Sequence, residues 1–134
     1  MSHPREEDYV FYQGEKFQVE FYFTEKGELP AKEYFESLER QVQIKLLALV
    51  KYMAEEGRLF DETKFRPVDK KEKIYEFKPF AERFFNFFYE GQKVIITNAY
   101  RKKGQKVDLR ALARAINSKK DYEFRVKGGS YYGT

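Results

Sequence analysis

Residues 98–115 read NAYRKKGQKVDLRALARA, and Arg101, Lys102, Lys103 and Lys106 place four cations within six residues. A run of this kind is either a solvated surface or one wall of a site that handles a polyanion. Arg grips phosphate bidentately and stays charged, whereas a Lys crowded by other cations has its pKa lowered toward that of a useful base. The charge of the whole chain favours the second use. Residues 1–62 carry 8 Lys/Arg against 14 Asp/Glu, a net of −6, and residues 63–134 carry 18 against 8, a net of +10. Basic residues gathered in one half are the electrostatic footprint expected for a nucleic-acid partner.

Other chemistries are closed off by composition. The chain has no Cys, so disulfides, thiolate metal sites and a Cys nucleophile are excluded. Its one histidine, His3, stands in a polar N-terminal stretch expected to be mobile, which argues against His-ligated metals and His-based triads. No metal site and no cofactor are expected. The N-terminal MSHPREEDY lacks an apolar targeting core, and no segment nears 18 consecutive apolar residues, so a soluble, cytoplasmic protein with no membrane contact is expected.

The elements that must hold these cations follow from periodicity. KFQVEFYF (16–23) is rich in strand formers and is expected as a strand, with YVFY (9–12) pairing to it through Gln13-Gly14. Pro30 suits the first turn of a short helix whose apolar face is Tyr34, Phe35 and Leu38. In a second helix over 40–56, Val42, Leu46, Leu49, Val50 and Met53 recur at helical spacing, Leu47 and Ala54 widen the stripe, and Gly57 ends it. KFRPVDKKEK (64–73) reads as a basic loop. IYEFK (74–78), RFFNFFY (83–89) and KVIITNAY (93–100) read as a three-stranded meander with a turn at Glu90-Gly91. LRALARAIN (109–117) is a short helix that Asp108 could cap, and the Gly-rich tail after Tyr122 is expected to fray. The expected fold is α+β: a small, mostly antiparallel sheet with two N-terminal helices on one face and a short C-terminal helix. One domain spans 1–134, its core about 17–122, with an arm (1–15) and a tail (123–134) at the periphery.

Four features together resemble the RelE/HigB-like bacterial toxin superfamily, and the HigB-like branch in particular. They are this order of elements; the strands IYEFK and RFFNFFY, similar to a "WELR … YRIFYF" pattern; AYRKKGQK, similar to "F-x-KK-x-QK"; and the alanine-bearing helix closed by KKDY. The resemblance covers roughly Phe17 to Tyr122. It implies a RelE-like fold and a ribosome-dependent endoribonuclease that cleaves mRNA, held in check by an antitoxin protein of helix-turn-helix type.

Metal-free RNA cleavage needs a base at the ribose 2′-OH, cationic stabilisation of the phosphorane-like transition state and an acid at the leaving oxygen. The resemblance assigns catalytic roles to Lys78, Arg83, Lys102 and Lys103. Arg83 matches the arginine that opens the family's second strand and is expected on the scissile phosphate. Lys78 stands where an arginine is common, which keeps the charge and loses the bidentate grip. One of Lys102 and Lys103 is a candidate base or transition-state clamp, the other a phosphate contact. Arg66, Gln105 and Lys106 are expected on RNA backbone, and Tyr100 and Tyr122 could stack on a base or serve as the acid, although a core role is the plainer one for Tyr100. Arg101 is left as solvated charge. Alternatives are a non-catalytic RNA- or ribosome-binding module or degenerate toxin on the same fold, and a regulator whose basic half meets an acidic protein. The geometric test is whether Arg83 shares a face with the lysines: by strand parity it shares one with Phe85 and Phe87.

Overall fold

The computed structural model describes residues 3–133. A one-turn helix α1 (Glu6–Tyr9) leads into the hairpin β1 (Val10–Gln13) and β2 (Gln18–Phe21), followed by α2 (Pro30–Glu36) and α3 (Arg40–Glu56). Four strands come next, β3 (Phe65–Asp69), β4 (Ile74–Phe77), β5 (Glu82–Tyr89) and β6 (Lys93–Arg101), and α4 (Leu109–Lys127) is the last element. They form one sheet in the order β1-β2-β6-β5-β4-β3, antiparallel throughout except where β2 runs parallel to β6. The α+β architecture is the expected one, with one strand more, β3, than the sequence pattern revealed.

Both faces of the sheet are covered. Alternate residues of the central strands divide between two cores: Phe77, Phe84, Val94 and Ile96 pack with Leu46, Leu49, Val50 and Met53 of α3. Ile74, Phe85, Phe87 and Ile95 pack with Ala111, Ala115 and Tyr122 of α4. A strand buried on both sides loses polar alternation, which is why RFFNFFY and KVIIT read as continuous apolar runs. The arrangement is therefore helix–sheet–helix, with α4 opposite α2 and α3.

Three local readings are corrected. The basic loop 64–73 contains the edge strand β3, whose Pro67 is tolerated because β4 is its one neighbour and the register breaks between Pro67 and Asp69. The last helix is not short: it runs 19 residues, and Asp108 caps it as expected, its side chain accepting from the amides of Arg110 and Ala111. Its apolar stripe continues through Tyr122 to Arg125, a buried guanidinium that bonds the Phe23 carbonyl at 2.9 Å and Asp121 at 2.6 Å. A charged residue at a core-facing position hid that extension from the sequence. Leu47 does not join the α3 stripe and is exposed.

The tail does not fray. Tyr131 is fully buried, stacked on Phe23 with ring centroids 4.0 Å apart, and its hydroxyl accepts from the Phe23 amide. His3 is likewise placed, edge-on to Phe23 with Nε2 2.7 Å from the Tyr131 carbonyl oxygen. Tyr132 donates to the buried Glu20, whose other oxygen meets Gln18 at 2.7 Å and Lys93 at 3.5 Å. The tail thus supplies part of the second core. Tyr131→Ala should lower unfolding free energy by about 3–5 kcal/mol, the range for deleting a large buried ring. Denaturant titration checks this; a change under about 1 kcal/mol would mean the tail is dispensable.

Candidate active site

The site lies on the α4 face of the sheet, where β4 ends, β5 begins and β6 ends. On β4, Ile74 belongs to the α4-side core, so Glu76 two residues on shares that face, and Lys78 continues the same parity past the strand end. Arg66 of β3 is the register partner of Glu76, and Arg83 of β5 is the register partner of Tyr100 on β6. Directly opposed residues share a face, so these four side chains and Lys78 come together.

Tyr100 reaches that face because of a bulge. The register steps from Phe85↔Asn98 to Asn86↔Ile96, leaving Thr97 as an extra residue on β6. Ile96 faces α3; four residues later Tyr100 would do the same in a regular strand, but the extra residue turns it to the α4 side, where its ring packs on Phe85. The Thr97 hydroxyl is held by the Phe85 carbonyl and the Asn98 side chain, and Asn98 in turn donates to the Ala111 carbonyl of α4.

At the centre is Glu76, fully buried. Its Oε2 receives the Arg66 Nε at 2.7 Å and lies 3.9 Å from the Arg83 Nε. The Arg83 Nη1 donates to the carbonyls of Phe80 and Glu82, which fixes the guanidinium at the rim. Among the described residues, four buried side-chain atoms lack a hydrogen-bond partner, and three of them are Glu76 Oε1, Arg83 Nε and the Tyr100 hydroxyl. Buried polar atoms are nearly always paired, so three unpaired ones in one place single out this cluster as the candidate site.

The electrostatics bear on chemistry. Burial first, then Arg66 and Arg83, push the Lys78 ammonium below its ordinary pKa; Lys102 adds to this and Glu76 opposes it. Burial and the Glu76 carboxylate raise the Tyr100 phenol, against a smaller pull from the Asp108 backbone amide and Arg83. The Lys78 Nζ meanwhile donates to the Glu62 carbonyl at 2.9 Å, and the Lys102 amide donates to Ala81 at 2.8 Å, tying the strand ends together.

Arg66, Lys78, Arg83 and Lys102 therefore meet on one side, the face shared by Phe85 and Phe87. Lys103 is exposed and stands apart, lining an adjoining cleft with Tyr100, Arg101 and Lys106; Gln105 is exposed on the same loop. Arg101 is not free charge, since it bonds the buried Glu82 at 2.8 Å, whose other oxygen takes the Tyr34 hydroxyl. Tyr122 cannot stack on a base: it is fully buried against Phe87 and Tyr89, with its hydroxyl on Tyr132. The Tyr100 ring is also packed away, against Phe85, and cannot stack on a base. Glu76 is the residue that sequence reasoning passed over. Its signal was present: in IYEFK it occupies the inward parity of Ile74, and a carboxylate there needs cationic partners. No group of three or more His, Asp or Glu residues able to hold a metal ion occurs among the described residues.

Residues 33–120, about two-thirds of the chain, match the family described as phage derived protein Gp49-like (DUF891). The chain belongs to this family. The Gp49-like family is of RelE/ParE-like toxin type, in line with the superfamily that the sequence resembles and without distinguishing the HigB-like branch. No curated protein matches the chain. The matched span runs from α2 into α4 and contains every cation of the site. No helix among the described residues is long and apolar enough to cross a membrane.

The sign of the Lys78 shift can be tested. The ammonium is favoured by Glu76 and disfavoured by Arg66, Arg83 and Lys102. Glu76→Gln removes the one attraction and leaves the repulsions. In NMR titration of isotopically labelled lysines, Lys78 should titrate below the other lysines in the wild type and lower still in Glu76→Gln. An upward move in the variant would refute the assignment of charges.

Proposed function

We propose that this Gp49-like protein is the toxin of a type II toxin–antitoxin pair and acts in the cytoplasm as a ribosome-dependent mRNA endoribonuclease of HigB-like type. The observation that carries the reading is the convergence of Arg66, Glu76, Lys78, Arg83 and Lys102 around the orphaned Glu76 Oε1, Arg83 Nε and Tyr100 hydroxyl. An RNA phosphate brings anionic oxygens, the counterparts of a cluster of cations.

In this reading Lys102 takes the 2′-OH proton as the 2′-oxygen bonds to phosphorus, while the buried Glu76 holds Arg66 and Arg83 in place. Arg83 holds the non-bridging oxygens as negative charge grows on them. The bond from phosphorus to the 5′-oxygen breaks, and Lys78, whose lowered pKa makes it the better proton donor, protonates the leaving oxygen. Products are a 2′,3′-cyclic phosphate and a 5′-hydroxyl. Glu76 is thus a positioning residue, and Lys102 is the base of the lysine pair. Lys103, Gln105 and Lys106 serve the RNA or ribosomal RNA from the adjoining loop. Positioning of the mRNA falls to the ribosome. The cognate antitoxin, of helix-turn-helix type, is the protein partner.

Induction in bacteria with mapping of new mRNA 5′ ends tests this. Arg83→Ala should lower cleavage by about 10²–10³-fold, as loss of one transition-state donor does, and Lys102→Ala by about 10²–10⁴-fold, the range for a general base. Cleavage by both variants at the wild-type level would sink the site. No cleavage by any of the three proteins would favour a non-catalytic RNA-binding module.

A further inference from the structure

A second basic and aromatic surface adjoins the site, on the other side of the rim. A groove of about 530 Å³ lies between α3 and the segment 58–64, lined in part by Lys45, Tyr52, Arg58, Phe60 and Lys64. Two of its walls are aromatic rings left to solvent: Phe60 is 79% exposed and Tyr52 54% exposed. The Arg58 guanidinium lies 5.2 Å from the centroid of Phe60. The one acidic residue lining it, Asp61, is engaged by the Thr63 amide and hydroxyl and by Lys64 at 3.7 Å. The groove is therefore net positive.

Hydrogen bonds tie its outer wall to the first site. The Lys78 amide donates to the Lys64 carbonyl at 2.8 Å, and its Nζ donates to Glu62. Between the two lies Phe80, 61% exposed, with φ of +56°, a left-handed conformation that costs a bulky residue energy. Its carbonyl is the acceptor that holds Arg83, and its ring lies 6.0 Å from Lys45 Nζ. One strained residue thus presents an aromatic ring between the Arg83 cation and the Lys45 cation.

We infer that single-stranded RNA continues from the Arg83 phosphate site over Phe80 into this groove, its phosphates meeting Lys64, Lys45 and Arg58 and its bases stacking on Phe80, Phe60 or Tyr52. Alternating cations and exposed rings are how proteins hold single strands without reading sequence. A protein partner fits less well, because Ile44 and Leu47, the exposed aliphatic residues of α3, form no part of the groove. The inference rests on the RNA-cleavage reading of the first site.

The chain has no Trp, so a Phe60→Trp protein carries a single indole at the groove. It is titrated at low salt with a single-stranded oligoribonucleotide, inorganic polyphosphate or an acidic amphipathic peptide, while anisotropy of dye-labelled RNA reports binding separately. Tyr52→Trp repeats the measurement if Phe60→Trp is poorly folded. RNA should quench the indole, and polyphosphate should compete for RNA without comparable quenching. Adding Lys45→Ala and Lys64→Ala should reduce the salt dependence of binding by about two phosphate contacts. RNA that binds by anisotropy while the indole stays unchanged overturns the groove and leaves the Arg83 site standing. Quenching by the peptide and not by RNA overturns it in favour of protein docking. Absence of RNA binding overturns the groove, and the mapping of mRNA 5′ ends in bacteria decides the cleavage reading separately.

Discussion

A carboxylate with no exposed surface, set between two guanidinium groups, is the constraint on which the functional half of this molecule depends. A buried charge is tolerated only when paired, so Glu76 requires Arg66 on one neighbouring strand and draws in Arg83 on the other. The three strands that carry them must then be in fixed register. The molecule contains a second buried carboxylate for comparison. Glu20 has both oxygens engaged, by Tyr132, Gln18 and Lys93, and its work is to seat the C-terminal tail. Glu76 has one oxygen occupied and one unpaired, beside an unpaired Arg83 Nε and Tyr100 hydroxyl. Two carboxylates on one face of one sheet thus differ in satisfaction, and that difference separates a structural anchor from a candidate site.

The sheet makes this arrangement rigid. Its centre is sealed on both sides by aromatic and aliphatic cores, so strand slippage by one residue would exchange the two cores wholesale. Against that rigid background a single extra residue, Thr97, redirects the last turn of β6. It brings Tyr100 opposite Arg83 and sends Ala99 to the α3 side. The hydrogen bond from Asn98 to Ala111 couples the bulge to α4, so the helix that covers this face also fixes the local register.

How much of this could be read from the chain follows from the same physics. The α3 stripe and its Gly57 end, the Asp108 cap and the β5–β6 hairpin are local patterns, and the structure contains them. Gly57 sits at φ +81°, the left-handed conformation its position as a helix stop calls for. What escaped was set by long-range pairing. β3 carries Pro67 and a register break, so it lacks a strand's signature, yet it supplies the Arg66 that neutralises Glu76. Arg125 and Tyr131 belong to a core assembled with Phe23, more than a hundred residues away, so the end of α4 and the tail read as polar periphery. At the site, the cations were legible because charge is a property of the residue. Their grouping was not, because Lys102 and Lys103 are neighbours in sequence and diverge in space. Parity did place Arg83 on the face of Phe85 and Phe87, and the bulge that brings Tyr100 to meet it left no trace in the sequence pattern.

The lysine at position 78 illustrates what the environment adds to a residue type. Against the family pattern, a lysine in place of arginine looks like a loss, since it cannot grip phosphate bidentately. An arginine, however, keeps its protons across the whole working range of pH and cannot serve as an acid. Lys78 can, and it sits where burial and two guanidinium groups weaken its hold on its proton. Arg83, as proposed, supplies the fork that a phosphate needs, and a second fork would duplicate it. Under the proposed mechanism the substitution therefore divides the labour: one fixed cation stabilises charge on the phosphate, and one titratable cation gives up a proton to the oxygen that leaves.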